Sequence, residues 1–546
     1  MSSELQDVDS AEFFWDNFAA LGFENASRAL VMAVKEGVDN SLDACEDIDV
    51  LPEIEVELQD LERYDDAVQF TVSDNASGIP REEIQNVFGE ILYSSRFGRW
   101  KQSRGQQGIG ISAVFLWSQK WIGEPATIIS KESDSDARKI ELEAEKKGEQ
   151  INVITDQKIN WDRDHGTEIS LPIRANWLSR SHLQEYLQGT SLANPSAQIT
   201  YTENDETTVY ERTSQNPPQP PEEMRPHPHA ADIGMLEQML SRTSSRTVKR
   251  WLSEDFSCLG ERSAKRICKR AGVDPDNPLL LEKSDLESLT AQMNKTRARA
   301  PGTDALSPLD EDLIEKTLGV YNPEFIGTST RDVITVEGHP TIVETGVAYG
   351  GDIEPDGEIE YYRVANRVPL VYDASGCALR KAVDDVNWEN YELSEQQGRP
   401  IGPAVVFIHI CSTDIDFGNE AKTFVAQKPE LQSELKLSLE ECGRDFSRFL
   451  KQKRRRQEHR KKVEKITPIY EAISSKVSEV SNQNPGYLDS LARSCNTVVV
   501  GDGVVRNPTD KNRTIKIGDE EVEIGAGEQI EIGDEEINYH YHPIHV

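Results

Sequence analysis

A glutamate and an asparagine four residues apart, inside an apolar helical run, constrain this chain more than any other feature. In ALVMAVKEGVDNSLDA, Glu36 and Asn40 fall on one helix face. VSDNASGIP follows, with Asp74 closing a strand-like VQFTVSD and Gly78 just beyond it. RGQQGIGIS then sets Gly105, Gly108 and Gly110 before the apolar run ISAVFLWS, and HGTEIS supplies Thr167. A carboxylate, an amide, an Asp at a strand end and a glycine loop opening a helix are the parts needed to hold a nucleoside triphosphate and Mg²⁺.

Each part has a physical reason. A carboxylate such as Glu36 can orient water for in-line attack on a γ-phosphate, where positioning and charge neutralisation lower the barrier. The neutral amide oxygen of Asn40 is a hard ligand suited to Mg²⁺. Asp74 can accept a hydrogen bond from an exocyclic amine. The three glycines let backbone N–H groups face phosphates, and the following helix adds its positive end. No GxxxxGK[ST] occurs, so this is not a P-loop site. Each motif alone is also met as a solvated helix face, a turn or a common loop. The ordered series is what carries the reading.

In that order, the motifs resemble those of the Bergerat-type ATPases: gyrase B, the heat-shock protein 90 chaperones, MutL and the sensor histidine kinases. Within that group the chain resembles the B subunits of DNA topoisomerase VI. The stretches that carry this are FFWDNFAALGFENASRAL, FGEILYSSRFGR, RGQQGIGISAVFLWSQ, RPHPHAADI, EGHPTIVETGVAYGG, YYRVANRVPLVYD and VVFIHICST, spanning roughly residues 10 to 475. The resemblance implies an α+β multidomain chain. It would comprise a Bergerat-type α/β sandwich ATPase (1–215), a Pro-rich linker (216–231) and a helix–two-turns–helix domain (232–318). A transducer with a ribosomal-protein-S5-like βαβ unit and a long helix (319–480) would follow, and the alternation of the tail suggests a small β module (497–546).

By the same resemblance, Glu36 activates water, Asn40 binds Mg²⁺ and Asp74 reads adenine. Asp43, Gly78 and Thr167 complete the pocket, and Ser95 and Arg96 contact nucleotide from a lid. Gly105, Gln106, Gln107, Gly108, Ile109, Gly110, Ile111 and Ser112 form the phosphate loop, although relatives often carry Lys where Ser112 stands. Lys422, in STDIDFGNEAKTFVAQ, aligns with the transducer lysine that reaches the γ-phosphate. Ala76 stands where the family usually has Gly, which would strain the loop if that position needs positive φ. Trp388 and Tyr391 sit in WENY, where relatives have WKxY, and Glu389 replaces a DNA-facing Lys. The implied cofactors are ATP and Mg²⁺. The implied partners are an A subunit, in a heterotetramer of two A and two B chains, double-stranded DNA, and a second copy of the chain on ATP binding. The implied activity is that of a type II DNA topoisomerase, with ATP-driven closure gating duplex passage through a break made by the A subunit. A histidine kinase needs a phosphoacceptor His upstream of the Asn helix, and the first His is His165. A chaperone or mismatch-repair clamp does not explain the helical insert.

Composition sets the boundaries. No run of 18 apolar residues occurs, and the acidic N-terminus lacks an apolar signal core. Seven Cys without a CxxC imply a reduced, cytoplasmic chain. The net charge of −36 is unusual for a DNA-acting protein and fits a salt-loving archaeal source, where salt screens self-repulsion. Against that background, Lys249, Arg250, Arg262, Lys265, Arg266, Lys269 and Arg270 make a local basic stripe. It either follows DNA phosphates or forms solvated helix faces with partners such as Glu261 and Lys265. The basic KQKRRRQEHRKK lies in a long helical stretch that, by resemblance, reaches toward the A subunit. His540, His542 and His545 form an HxHxxH tail, read as a strand end rather than a metal site. Asp414 and Asp416 form a DxD whose place before the lysine loop argues against a DNA-cleaving metal site.

Overall fold

The computed structural model describes residues 18–545 except 90–99, 105–108, 146–149, 278–279, 356, 392, 397–398, 420, 482–486, 502–503, 518–519, 532–536 and 539–543. Ser95, Arg96, Gly105, Gln106, Gln107, Gly108, His540 and His542 therefore lie outside the described residues. The chain divides into two compact units, 1–447 and 448–546.

The first unit opens with helix α1 (Ala26–Asp47), capped by Asn25, whose side chain accepts the Arg28 N–H at 3.0 Å. Its buried stripe of Leu30, Val34, Val38 and Leu42 follows helical spacing and faces a sheet. That sheet comprises β1 (Glu53–Asp60), β2 (Ala67–Ser73), β3 (Ala126–Lys131), β4 (Arg138–Glu145), β5 (Gln150–Lys158), β6 (Gly166–Arg174), β7 (Gln198–Glu203) and β8 (Glu206–Tyr210). Its order is β5-β4-β3-β6-β2-β1-β7-β8, and β1 with β7 is its parallel pair. β1 buries Ile54, Val56 and Leu58 while the residues between point outward, the alternation expected of a sheet covered on one face. Three further helices, α2 (Ile84–Gly89), α3 (Gly110–Trp121) and α4 (Arg180–Ala193), share the core with α1.

Four helices follow: α5 (Ile233–Arg242), α6 (Val248–Asp255), α7 (Glu261–Ala271) and α8 (Lys283–Asn294). They enclose their own core around Trp251, Phe256, Ile267 and Leu289. The Pro-rich segment before them is fastened. His229 N–H donates to His227 Nδ1 at 3.2 Å, so His227 donates through Nε2 to Arg299 O at 3.0 Å. Met224 N–H donates to Trp100 O, and Glu222 N–H to Asp304 O.

Helix α9 (Asp310–Leu318) departs from the expected boundary at 318. Its Leu313, Ile314 and Leu318 pack with Ala348, Val405 and Phe407, so it joins the core of the next domain rather than the helical one. Its apolar face matches a sheet, and the helical domain's core is already closed. That sheet contains β9 (Phe325–Thr330), β10 (Ile334–Val336), β11 (His339–Tyr349), β12 (Glu360–Ala365), β13 (Val368–Pro369) and β16 (Ala404–Ser412). Its order is β10-β11-β16-β12-β13, with β9 on β11. A small hairpin of β14 (Ser394–Gln396) and β15 (Arg399–Ile401) precedes β16. β12 and β16 run parallel, joined through helix α10 (Ala378–Asp385), which is the expected βαβ unit. Trp388 is buried, its indole donating to Val383 O at 2.9 Å, and Glu389 is exposed. The long helix α11 (Pro429–Ser481) seals the sheet with Leu435, Leu439, Cys442 and Phe446.

The second unit holds helix α12 (Tyr487–Cys495) and two small sheets around Val498, Val505, Ile515 and Ile524. Buried Asn507 donates to the carbonyls of Lys511, Ile524 and Gly525. Among the described residues no helix is long and apolar enough to cross a membrane.

Candidate nucleotide site

Helix α1 presents one acidic face. Lys35 Nζ lies 3.3 Å from Glu36 Oε1 and 3.0 Å from Asp39 Oδ2. Burial alone would depress Lys35, but attraction from Asp39 and Glu36 outweighs it and holds the ammonium well above its usual range. Asp39 is also bonded by Tyr186 Oη at 3.0 Å. Asn40 is exposed, one helical turn beyond Glu36 on the same face. Gly110, at the start of α3, explains how close the Glu36 carboxylate comes. A Cβ there would lie 1.7 Å from Glu36 Oε2, so any other residue would displace the carboxylate.

The Asp74 carboxylate is 6 % exposed and held at three points. Oδ1 accepts the N–H groups of Ala76 and Thr167, both at 3.0 Å, and Oδ2 accepts Ser41 Oγ–H at 2.9 Å. Burial pushes its pKa up, and these bonds oppose the shift. Gly78 has φ +77°, and a Cβ there would meet Lys131 O at 2.4 Å. Ala76 is absent from the positive-φ residues, so the strain considered for it does not arise. Its N–H bond to Asp74 is one that any residue but proline supplies.

Helix α3 begins at Gly110, and the first-turn amides of Gly110, Ile111 and Ser112 have no intrahelical acceptor. They make a place for an anion. Ile109 precedes the helix as its N-cap residue. The Ser112 hydroxyl does not join this place: it donates to Val87 O at 2.9 Å. Asp43 lies two helical turns beyond Glu36 on the same face, and its carboxylate is engaged by Arg104, accepting Nη1 at 2.8 Å.

Lys422 reaches this face from the second domain. It sits between β16 and α11 at φ +53°, a left-handed conformation that a lysine rarely adopts. Its N–H bonds Asn419 O at 3.1 Å, and Asn419 Oδ1 accepts Thr423 N–H at 3.0 Å. Thr423 Oγ1 in turn donates to Asp373 Oδ2 at 2.6 Å. Burial lowers the Lys422 pKa first and the Lys35 charge lowers it further, against Glu36 and Asp39. Lys35, Arg104, Asn366, Asp414, Asn419 and Lys422 line one cavity of about 580 Å³. Asp416 is not open for a metal pair with Asp414, since it binds Lys428 Nζ at 2.7 Å.

Comparison with known proteins agrees with this fold. Residues 28–167 match the family described as Histidine kinase-, DNA gyrase B-, and HSP90-like ATPase. Residues 301–462 match the family described as Topoisomerase VI B subunit, transducer. Fold and site therefore define a gyrase-B-like ATPase joined to a transducer. The B subunit of type 2 DNA topoisomerase 6 from Archaeoglobus fulgidus is 40% identical over 498 residues, covering 90% of this chain and 82% of that one. The same-named protein of Methanococcoides burtonii is 38% identical over 88% of this chain and 78% of its own. That of Natronomonas pharaonis is 30% identical over 92% and 86%. The chain belongs to the topoisomerase VI B-subunit family, and is the ATP-binding subunit of a type IIB DNA topoisomerase.

Sequence reasoning missed one group. Arg104, Glu46 and Arg367 form a cluster beside the site, both guanidiniums buried and Glu46 partly so: Arg104 Nη1 and Nη2 donate to Glu46 at 2.8 and 2.7 Å, and Arg367 Nη2 donates at 3.0 Å. Burial alone would raise the Glu46 carboxyl, but the two guanidiniums outweigh it and hold it at about 2. The available signal was an Arg directly before the glycine loop, in SRGQQG.

Proposed function

We propose that ATP is bound and hydrolysed on the α1 face, and that Lys422 makes the transducer a sensor of the γ-phosphate. The observation that carries this is Lys422, more than 300 residues from Gly110 in sequence, sharing an electrostatic environment with Glu36. Glu36 orients a water for attack on the γ-phosphorus. The new P–O bond forms as the bond to the ADP oxygen breaks, and the water's proton passes to the Glu36 carboxylate. Asp74 accepts from the adenine amine with lone pairs left over from its three bonds. Gly78 and Thr167 fix that end of the pocket, and the α3 amides take the phosphates. Asn40, exposed on α1, would hold Mg²⁺ through its amide oxygen, and the ion would neutralise phosphate charge. Ser95, Arg96 and residues 105–108 complete the nucleotide contacts in this reading.

ATP closes two copies of the chain around a DNA duplex. Together with two A subunits, which make the break, this closure lets the duplex pass. The exposed cations of α7 follow DNA phosphates, and the enzyme acts in the cytoplasm. Glu36→Gln tests the site: nucleotide binding should persist while turnover falls by about 10²–10⁴. ATP turnover near the wild-type rate would remove Glu36 from the chemistry.

A further inference from the structure

The buried cluster beside the nucleotide site is more than a contact between domains. Arg104 stands between two halves of the molecule. On one side its guanidinium grips Asp43 and Glu46 of α1, the helix that carries Glu36 and Asn40. On the other, it donates to Asn194 Oδ1 at 2.6 Å, and Asn194 Nδ2 donates to Arg367 O at 3.1 Å. Arg367 closes the ring through Glu46. Two cations and two carboxylates balance, so losing any member leaves another charge of the cluster with fewer partners.

The transducer side is a two-residue turn between β12 and β13. Asn366 and Arg367 both have positive φ, +50° and +65°. Neither residue is glycine, so the surrounding contacts must hold the turn. Asn366 Nδ2 donates to Ser103 O at 3.3 Å and to Ser412 O at 2.9 Å, and its Oδ1 accepts Ser412 N–H at 2.9 Å. Arg367 N–H donates to His409 Nε2 at 3.0 Å, which leaves Nδ1–H to donate to Glu344 Oε2 at 2.8 Å. Glu344 then caps α9 by accepting the N–H groups of Leu309 and Asp310 at 3.0 and 2.8 Å.

Glu344, His409 and Cys411 have the side chains and closeness of a metal site. Both carboxylate oxygens and both ring nitrogens are already bonded, so the trio is a structural lock. An unbroken chain of buried polar contacts thus runs from α1 through the 366–367 turn to β11, β16 and the start of α9.

We propose that this cluster is the joint by which the transducer's position is felt at the nucleotide helix, with Arg104 as its positioning residue. The inference rests on the α1 face being the ATP site. Arg104 touches neither Glu36 nor Asn40 directly. It fixes the far turns of their helix to a turn that moves with the transducer sheet. A displacement of that sheet must either break the Glu46 bridges or carry α1 with it, because a planar guanidinium bonded at several points tolerates little slip.

The test uses the full chain carrying Arg104→Lys, Arg367→Lys, both changes, or Glu36→Gln. ATP kcat and KM, thermal stability and the nucleotide-induced rise in Tm are measured for each. Lysine keeps the charge and loses the fork. Arg367→Lys lies in the transducer, yet it should raise the KM for ATP about ten-fold, on the scale of coupling between sites, and shrink the nucleotide-induced rise in Tm. The double variant should be little worse than the worse single one. If Arg367→Lys lowers Tm but leaves KM, kcat and the nucleotide-induced rise unchanged, the cluster is only structural and the proposal is overturned. Additive effects of the two changes overturn it as well. Glu36→Gln separates the two levels: wild-type turnover in that variant rejects the nucleotide site itself, whereas lost turnover there with an unaffected Arg367→Lys rejects only the joint. Should Arg104→Lys not fold, Arg367→Lys and Asn366→Ala carry the same comparison.

Discussion

Two groups of cations in this acidic chain behave in opposite ways. Arg104 and Arg367 are buried and share the Glu46 carboxylate, with Asp43 on Arg104 completing the charge match. Arg262, Lys265, Arg266, Lys269 and Arg270 line the exposed face of α7. Lys249 and Arg250 next to them are paired at the surface with Asp276 and Glu254. The difference teaches that burial, more than the number of charges, decides what a cation does. A buried guanidinium without its carboxylate is a large penalty, whereas an exposed one is free to trade its counterions for a polyanion.

The largest expected effect lies on the buried side. Arg104→Met strands the buried Asp43 and leaves Glu46 to Arg367 alone, and should destabilise the chain by about 3–5 kcal/mol. Because the cluster is screened little by solvent ions, denaturant unfolding should give a similar loss at moderate and at high salt. A loss that disappears with added salt would place Arg104 in the exposed class.

Lys422 is intermediate: it is half-buried, and in the proposed reading a phosphate is its partner. Lys422→Ala should leave adenine recognition intact and weaken nucleotide-driven closure by about 1.5–3 kcal/mol, roughly ten-fold or more. Light scattering of the chain with a non-hydrolysable nucleotide reads the closure. Unchanged dimer formation counts against a sensor.

The same lysine predicts a pH dependence. Its pKa is lowered by burial and by Lys35, so it gives up its proton below the ordinary 10.5. The contact with phosphate needs the protonated form. Turnover should therefore begin to fall at a less alkaline pH than an ordinary lysine dictates, and Lys422→Ala should lack that arm of the profile. Identical alkaline arms in both proteins would assign the titration elsewhere.

The exposed stripe should give the smallest effects on stability and the clearest effect of salt. Lys265→Ala or Arg266→Ala should change stability by no more than about 0.5 kcal/mol. Each should reduce the slope of log DNA affinity against log salt by about 1 if it contacts a phosphate. An unaltered slope for both variants makes α7 an ordinary solvated face.

Much of this architecture is legible in the chain. The α1 stripe, the Asp74 strand end, Gly110 at the start of α3, the βαβ unit and the small β tail all show local periodicity or turn residues, and these act over a few positions. The boundary at 318 misleads because α9 is polar enough to resemble the helices before it. Only the facing sheet claims its three apolar residues. Ser112 and Asp43 take nucleotide roles from their places in the motifs, but the fold turns the hydroxyl to Val87 and the carboxylate to Arg104.

What the sequence determined by itself is the set of local parts: which residues share a helix face, where a glycine is needed, which strands carry alternation. Tertiary structure alone decided that Lys422 comes near Glu36, and that the buried Arg104 and Arg367 share the Glu46 carboxylate. Glu344 and His409 did leave a trace, each a polar side chain inside an apolar strand run, TIVETGV and VVFIHICS. Such a residue announces that it must have a buried partner, since an unpaired charge in a core is too costly. It does not announce which one, because the partner is chosen by how distant strands and helices pack.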